Sequence, residues 1–118
     1  MLNEWKDYYS DCDIPTNWVN VSYANDELPS FETDENQHKA YHLWVDSHDA
    51  NIRRENTDRI YGDLYIGYNY ECPRFCLSLC YGFNGADVFQ TDRFEDVLQW
   101  IKDNPKTDEQ IELTKEYV

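Results

Sequence analysis

Hydrophobic and polar positions alternate in four stretches of the chain, and this alternation predicts β-strands. The stretches are residues 17–24, 41–46, 59–70 and 75–83. A period of two places every second side chain on the same face of a strand, so each stretch carries one apolar face. The last two stretches are separated only by the short sequence ECPR, which predicts an antiparallel hairpin over 59–83.

Apolar residues recur every three or four positions in two other stretches, which predicts amphipathic helices. The clearer stripe covers residues 92–103, where Asp92 and Glu95 match the capping box that starts many helices. A shorter stripe over 2–12 ends before Pro15 and predicts a short N-terminal helix. The expected fold class is α+β: about four antiparallel strands, with the 92–103 helix packed on the apolar face of the sheet.

Three polar stretches carry weaker patterns. Residues 25–38 are acidic and contain a proline, so we predict a loop there. Residues 47–58 are predicted to be a polar loop with at most one helical turn. The tail 107–118 fits either a short helix or a last strand. The length of 118 residues predicts a single domain spanning 1–118.

Acidic residues dominate the charge of the chain. It has 24 Asp and Glu against 10 Lys and Arg, a net charge of −14, and this charge alone would favour disorder. An aromatic content of 16% supplies enough buried area to support a core instead. Residues 1–50 carry a net −9, residues 51–84 carry none, and residues 85–118 carry −5. Such a charge argues against nucleic acid or an anionic membrane as a direct ligand.

The sequence lacks the patterns of secreted and membrane proteins. No apolar run approaches the roughly 18–20 residues that span a bilayer, and the first residues lack the basic and apolar regions of a signal peptide. We therefore expect a cytoplasmic protein with reduced cysteines. A link from Cys12 to Cys72, Cys76 or Cys80 is expected only in an oxidising environment.

Two groups of residues have the composition of a metal site. Cys72, Cys76 and Cys80 are four apart, but on a strand that spacing is about 13 Å, too far for one zinc ion. His38 and His42 are also four apart, with His48 nearby. These three histidines offer one alternative function, a small metal-dependent hydrolase. We find no nucleophile elbow, phosphate-binding glycine loop or calcium loop, and we expect no enzyme and no cofactor.

The small size, the acidity and the lack of catalytic motifs resemble phage-encoded inhibitors of host defence, such as anti-CRISPR and anti-restriction proteins. That resemblance implies a non-enzymatic DNA mimic that occupies the basic nucleic-acid-binding surface of a nuclease or defence complex. A domain of this length is on the order of 35 Å across, a distance that holds about 20 phosphates of duplex DNA. The 24 carboxylates of the chain approach that linear charge density. A toxin-immunity protein that neutralises a basic toxin enzyme is the alternative binding function.

The expected contact surface belongs to the most acidic block of the chain, residues 1–50. Aromatic residues are favoured at interface hot spots, so a tryptophan beside the acidic stretch is included. The predicted partner-binding residues are Glu27, Glu32, Asp34, Glu35, Trp44, Asp46 and Asp49, extended by Asp7, Asp11 and Asp13.

Overall fold

Five antiparallel strands form one sheet in the computed structural model, which describes residues 5–23, 28–61, 73–80 and 87–117. Each strand pairs with the next one along the chain. The strands are β1 (Val19–Asn20), β2 (Ser30–Glu32), β3 (His42–Val45), β4 (Phe75–Ser78) and β5 (Asp87–Thr91). The predicted α+β class is confirmed, with five strands where about four were expected.

Four helices accompany the sheet in the described residues: α1 (Lys6–Tyr9), α2 (Ala50–Tyr61), α3 (Phe94–Asp103) and α4 (Asp108–Tyr117). The short N-terminal helix and the 92–103 helix were predicted from their apolar stripes. The tail, for which two structures were possible, is a helix.

The apolar face of the sheet holds the core. Cross-strand pairing places Phe31, Leu43, Leu77 and Phe89 in one row, because residues directly opposite each other share a face. Leu43 and Leu77 have no exposed surface. Val97 of α3 is equally buried against this cluster, which confirms that the 92–103 helix covers the apolar face.

The predicted hairpin over 59–83 is wrong at β4. Both edges of β4 are occupied, one by β3 and the other by β5, so this strand cannot also pair with the segment that precedes it. Residues 59–61 end α2, and residues 62–72 and 81–83 lie outside the described residues. Non-local pairing replaced the local one because β3 also presents an apolar face that the Leu43–Leu77 contact buries.

The acidic stretch 25–38, predicted as a loop, contains β2. Phe31 is the single large apolar residue of β2 and is buried opposite Leu43. This contact is enough to add a three-residue strand to the sheet. The strand predicted over 17–24 is reduced to the two residues of β1.

Helix α2 replaces the polar loop predicted for 47–58. Its start is capped by Asp49, whose Oδ1 accepts the backbone N–H groups of Asn51 and Ile52 at 2.8 and 3.4 Å. Among the described side chains of α2, the buried ones are those of Asn56 and Thr57, which are polar. A search for apolar periodicity does not detect such positions.

The capping box predicted at Asp92 and Glu95 is absent. Arg93 precedes α3 without a side-chain cap, and Asp92 Oδ1 accepts the backbone N–H of Arg74 at 3.0 Å instead. A capping box is formed at the start of α4. There Thr107 Oγ1 accepts the Gln110 N–H at 3.1 Å, and Gln110 Oε1 accepts the Thr107 N–H at 2.9 Å.

Two substitutions of Asp49 distinguish the effect of its capping hydrogen bonds from the effect of its negative charge. We expect Asp49→Ala to lower the free energy of unfolding by about 1 kcal/mol, and Asp49→Asn to change it by only a few tenths, because the amide oxygen still accepts the cap bonds. Urea unfolding of the two variants checks this. Equal losses in both variants would contradict a capping role.

Candidate functional site

Uncompensated carboxylates cover much of the described surface. Fifteen Asp and Glu of the described residues are exposed, against six exposed Lys and Arg. Only Asp11 and Glu112 of those fifteen form an ion pair with a described residue, with Arg74 and Lys115 respectively. The other thirteen carboxylates remain available to a positively charged partner.

The predicted contact stretch is only partly a free acidic surface. Glu32 is half-buried in β2, and burial raises the pKa of its carboxyl. Asp34 is half-buried and its Oδ1 accepts the Asn36 N–H at 2.8 Å, which closes a turn. Glu35 is exposed, and Glu27 lies outside the described residues.

Asp46 is a structural residue. It is 6% exposed, and its Oδ1 accepts the Asn56 side-chain amide at 2.8 Å and the Ser47 backbone N–H at 2.7 Å. Because a partner in solution cannot reach this carboxylate, Asp46 does not belong to the candidate surface. Trp44 is half-buried on the polar face of the sheet, where its ring meets that of His42 at 4.7 Å. Asp49 is exposed, but its side chain also caps α2.

A buried guanidinium joins the N-terminal segment to the sheet. Arg74, which is 8% exposed, donates from Nη1 and Nη2 to the two carboxylate oxygens of Asp11 at 2.8 and 2.6 Å. Its Nη2 also donates to the Tyr8 carbonyl at 2.6 Å, and its Nε to the Asp46 carbonyl at 3.2 Å. The planar fork of arginine suits such bidentate pairing. One side chain therefore fixes where the 8–11 segment lies.

The Arg74–Asp11 pair sets the electrostatics of this region. The hydrogen bond from Arg74 is the largest cause that lowers the pKa of the Asp11 carboxyl to about 2. The same bond raises the pKa of Arg74. Asp11 stays ionised at neutral pH and remains about half exposed, with a side-chain exposure of 53%.

Arg74 also brings together acids that are distant in the sequence. Its side chain binds Asp11 and its backbone N–H binds Asp92, so both carboxylates contact the same residue. Glu95 is close enough to Cys12 to contribute to the raised pKa of that thiol. We call five exposed acids the N-terminal acidic face: Asp7, Asp11 and Asp13 of the N-terminal segment, which Arg74 holds through Asp11, and Asp92 and Glu95 at the start of α3.

The other predicted acids belong to a different part of the structure. The turn that follows Asp34 and Glu35 contacts Lys106, whose Nζ donates to the His38 carbonyl at 3.3 Å. Asp11 shares Arg74 with Asp92, and Asp7 and Asp13 flank Asp11 in the same segment. Asp92 and Glu95 were missed because their positions were assigned to a capping box.

One row of side chains on the polar face of the sheet contains acidic residues, a histidine and a serine, which are the residue types of a catalytic triad. Pairing aligns Glu32, His42, Ser78 and Asp87 across four strands. However, Ser78 Oγ donates to Asp87 Oδ1 at 2.9 Å, and burial lowers the pKa of His42 to about 4. A general base works best when its pKa is near the operating pH. The row therefore gives no support to nucleophilic catalysis.

The histidines do not assemble a metal site with other described residues. Within the described ranges, no three His, Cys, Asp or Glu side chains are placed to hold a metal ion. His42 lies inside the sheet, His38 is half-buried in a turn, and His48 is exposed before α2. The structure therefore does not bring His38, His42 and His48 together, as the hydrolase alternative would require.

Three of the four cysteines are described, and all three are free thiols. Burial raises the pKa of Cys12 to about 11 and that of Cys76 to about 12, and it also raises the pKa of Cys80. Reactive cysteines have lowered pKa values, so these thiols have the character of packing residues. Cys72 lies outside the described residues.

Comparison with known proteins assigns no family to the chain. The chain matches no protein-family model, no curated protein and no solved structure. Among the described helices, none has the length and apolar character needed to cross a membrane. We therefore argue the function from the chemistry of the described surface.

Loss of the Arg74 side chain should destabilise the whole protein. We expect Arg74→Met to lower the free energy of unfolding by about 3 kcal/mol, because it removes the half-exposed ion pair with Asp11 and the donors to the Tyr8 and Asp46 carbonyls. Arg54→Met, at an exposed position of α2, should change it by less than about 0.5 kcal/mol. Urea unfolding measures both. Indistinguishable variants would contradict the role given to Arg74.

Burial of His42 should make stability depend on pH. A folded-state pKa of about 4 lies below the ordinary 6.5, so the unfolded chain binds the proton first as the pH falls. Stability should therefore fall between pH 6.5 and 4, by up to about 3 kcal/mol. His42→Gln should flatten this dependence, and His48→Gln should leave it unchanged. Urea unfolding across the range checks this, and an undiminished slope in His42→Gln would refute it.

Proposed function

We propose that the protein is a non-enzymatic inhibitor that binds the basic nucleic-acid-binding surface of a nuclease or defence complex. The observation that supports this is the excess of fifteen exposed carboxylates over six exposed cations, thirteen of the carboxylates lacking an ion pair with a described residue. Complementary charge of this kind speeds association and selects the partner. DNA mimicry is the form of inhibition that such a surface suits.

The dimensions support mimicry of a duplex. The longest principal axis is 40 Å, and duplex DNA presents about 24 phosphates over that distance, at one per about 1.7 Å. The chain carries 24 carboxylates. Its net charge of −14 over the same distance is about 0.6 of the charge of the nucleic acid whose place it would take.

The N-terminal acidic face is the part of this surface that we propose as the main contact. Arg74 holds Asp11 with two hydrogen bonds, and the same residue positions Asp92, so the carboxylates are fixed before binding. Preorganised groups lose less conformational entropy on association than mobile ones. Exposed Asp49 and Glu35 are further candidate contacts at other positions.

Charge reversal on the N-terminal acidic face tests the proposal. We expect the triple variant Asp7→Lys, Asp13→Lys and Glu95→Lys to weaken inhibition at least about tenfold, because close charge pairs with a partner are lost. Asp11 and Asp92 are left intact because they bind Arg74. The matched control reverses Glu109, Glu112 and Glu116 on α4, which is an equal change in charge. It should weaken inhibition by less than about threefold.

The assay measures substrate cleavage by a panel of purified enzymes: RNA-guided nuclease complexes, restriction endonucleases, and DNase or RNase toxins. We expect stoichiometric protein to inhibit at least one enzyme, with inhibition relieved by excess duplex DNA and by raising the salt. Inhibition of toxins alone would favour the toxin-immunity alternative. Inhibition that neither DNA nor salt relieves, or equal loss in both triple variants, would contradict mimicry by this face.

A further inference from the structure

Asn56 is a buried polar residue of α2 whose side-chain amide binds two residues from other parts of the chain. Its Nδ2 donates to Asp46 Oδ1 at 2.8 Å and to the Tyr8 hydroxyl at 3.1 Å. A primary amide has two N–H donors, so each of these acceptors can take one of them. The second bond connects α2 to α1, 48 positions earlier in the chain.

Asp46 determines which way the Asn56 amide points. A carboxylate oxygen only accepts hydrogen bonds, so it selects the NH2 end of the amide and not its carbonyl end. Asp46 is itself held, because its Oδ1 accepts the Ser47 N–H at 2.7 Å and its carbonyl accepts the bond from Arg74 Nε at 3.2 Å. With one amide N–H directed at Asp46, the other is directed at Tyr8.

Tyr8 is anchored at both its backbone and its side chain. Arg74 Nη2 donates to the Tyr8 carbonyl at 2.6 Å, and Asn56 binds the hydroxyl at the far end of the ring. Two anchors on one residue restrict both the position of its backbone and the rotation of its side chain. Asp7 directly precedes Tyr8 in α1, so the same anchors restrict where this exposed acid of the N-terminal acidic face lies.

The neighbouring Tyr9 is held in a different way. Its ring meets that of Phe31 edge-on at 5.1 Å, and its hydroxyl accepts an exposed bond from Asn20 Nδ2 at the longer distance of 3.4 Å. Apolar packing is therefore the main contact of Tyr9, whereas directed hydrogen bonds fix Tyr8. An apolar side chain at position 56 would fill space but would not direct Tyr8, and a buried amide is costly unless its donors are satisfied.

We propose that Asn56 is a positioning residue for the N-terminal acidic face, which it orients through the Tyr8 hydroxyl. A role in partner binding rests on the proposed function, whereas the effect of Asn56 on the segment needs no partner. Loss of the hydroxyl changes no charge, but it gives α1 more conformations to lose on binding. Binding should therefore weaken while its dependence on salt stays the same.

The substitution Tyr8→Phe tests the bond, with Tyr9→Phe as the matched control. In Tyr8→Phe, one of the two Asn56 side-chain N–H signals in the NMR spectrum should shift, and the one that binds Asp46 should move less. Protection of the Cys12 amide, which donates to the Tyr9 carbonyl at 3.0 Å, reports the order of the segment. It should fall about three- to tenfold, as the loss of one hydrogen bond implies. Tyr9→Phe should leave both signals in place and lower the protection less than about twofold.

A second substitution shows whether Tyr8 acts through Asn56. In an Asn56→Ala background, Tyr8→Phe should lower the protection of Cys12 no further, because the bond is already absent. Protection of the Leu43 amide reports global unfolding. Unmoved Asn56 signals in Tyr8→Phe, equal losses in the two Phe variants, additive losses in the double variant, or a loss at Cys12 no larger than at Leu43 would each overturn the proposal.

An enzyme that the natural protein inhibits supplies the test of the role in binding. Tyr8→Phe should weaken inhibition about two- to fivefold at every salt concentration, and Tyr9→Phe should not. Reduced protection of Cys12 without any loss of inhibition would show that Asn56 does not position a contact surface. If no enzyme is inhibited, the proposed function fails, and the NMR results alone decide whether Asn56 orients the N-terminal acidic face.

Discussion

The buried guanidinium of Arg74 links segments that are distant in the sequence. Because it is 8% exposed, it needs a counter-ion and hydrogen-bond acceptors, and these come from two parts of the chain. Asp11 and the Tyr8 carbonyl come from the N-terminal segment, and the Asp46 carbonyl follows β3. The backbone N–H of Arg74 adds Asp92 before α3. The side chain and the backbone N–H of Arg74 thus link the N-terminal segment, the end of β3 and the residues before α3.

A chain with net charge −14 must also offset the mutual repulsion of its carboxylates. The described acids are mostly at the surface, where water screens them, and aromatic rings supply much of the interior. Trp100 stacks on Phe89 at 5.4 Å and meets the edge of Tyr41 at 5.2 Å. Trp18 contacts Phe94 at 5.7 Å. Such rings bury a large area per residue, so a small core can hold an acidic surface that remains free for a partner.

Elements with regular apolar periodicity could be predicted from the sequence, and elements stabilised by polar or non-local contacts could not. Strands β3 and β4 and helix α3 fall in the first class. Strand β2 depends on a single buried residue, Phe31, and α2 buries Asn56 and Thr57, so neither carries an apolar pattern. The same limit applies to the site. The acidity of Asp7, Asp11 and Asp13 is visible in the sequence, but the link from Asp11 to Asp92 runs through Arg74, which lies in a stretch that reads as a turn. In the sequence Asp46 looks like a surface acid. Its hydrogen bonds to Asn56 and Ser47 in the structure show that it is a buried residue.

If Arg74 holds the N-terminal acidic face in place through Asp11, its side-chain NMR signals should differ from those of exposed arginines. Held by four hydrogen bonds, the guanidinium should show slow rotation about its Cζ–Nε bond and slow exchange of its protons with water at pH 7. Arg54 and Arg93 are exposed and provide the internal reference, from which we expect Arg74 to differ clearly. Rotation and exchange as fast for Arg74 as for Arg54 and Arg93 would mean that Arg74 does not hold this segment.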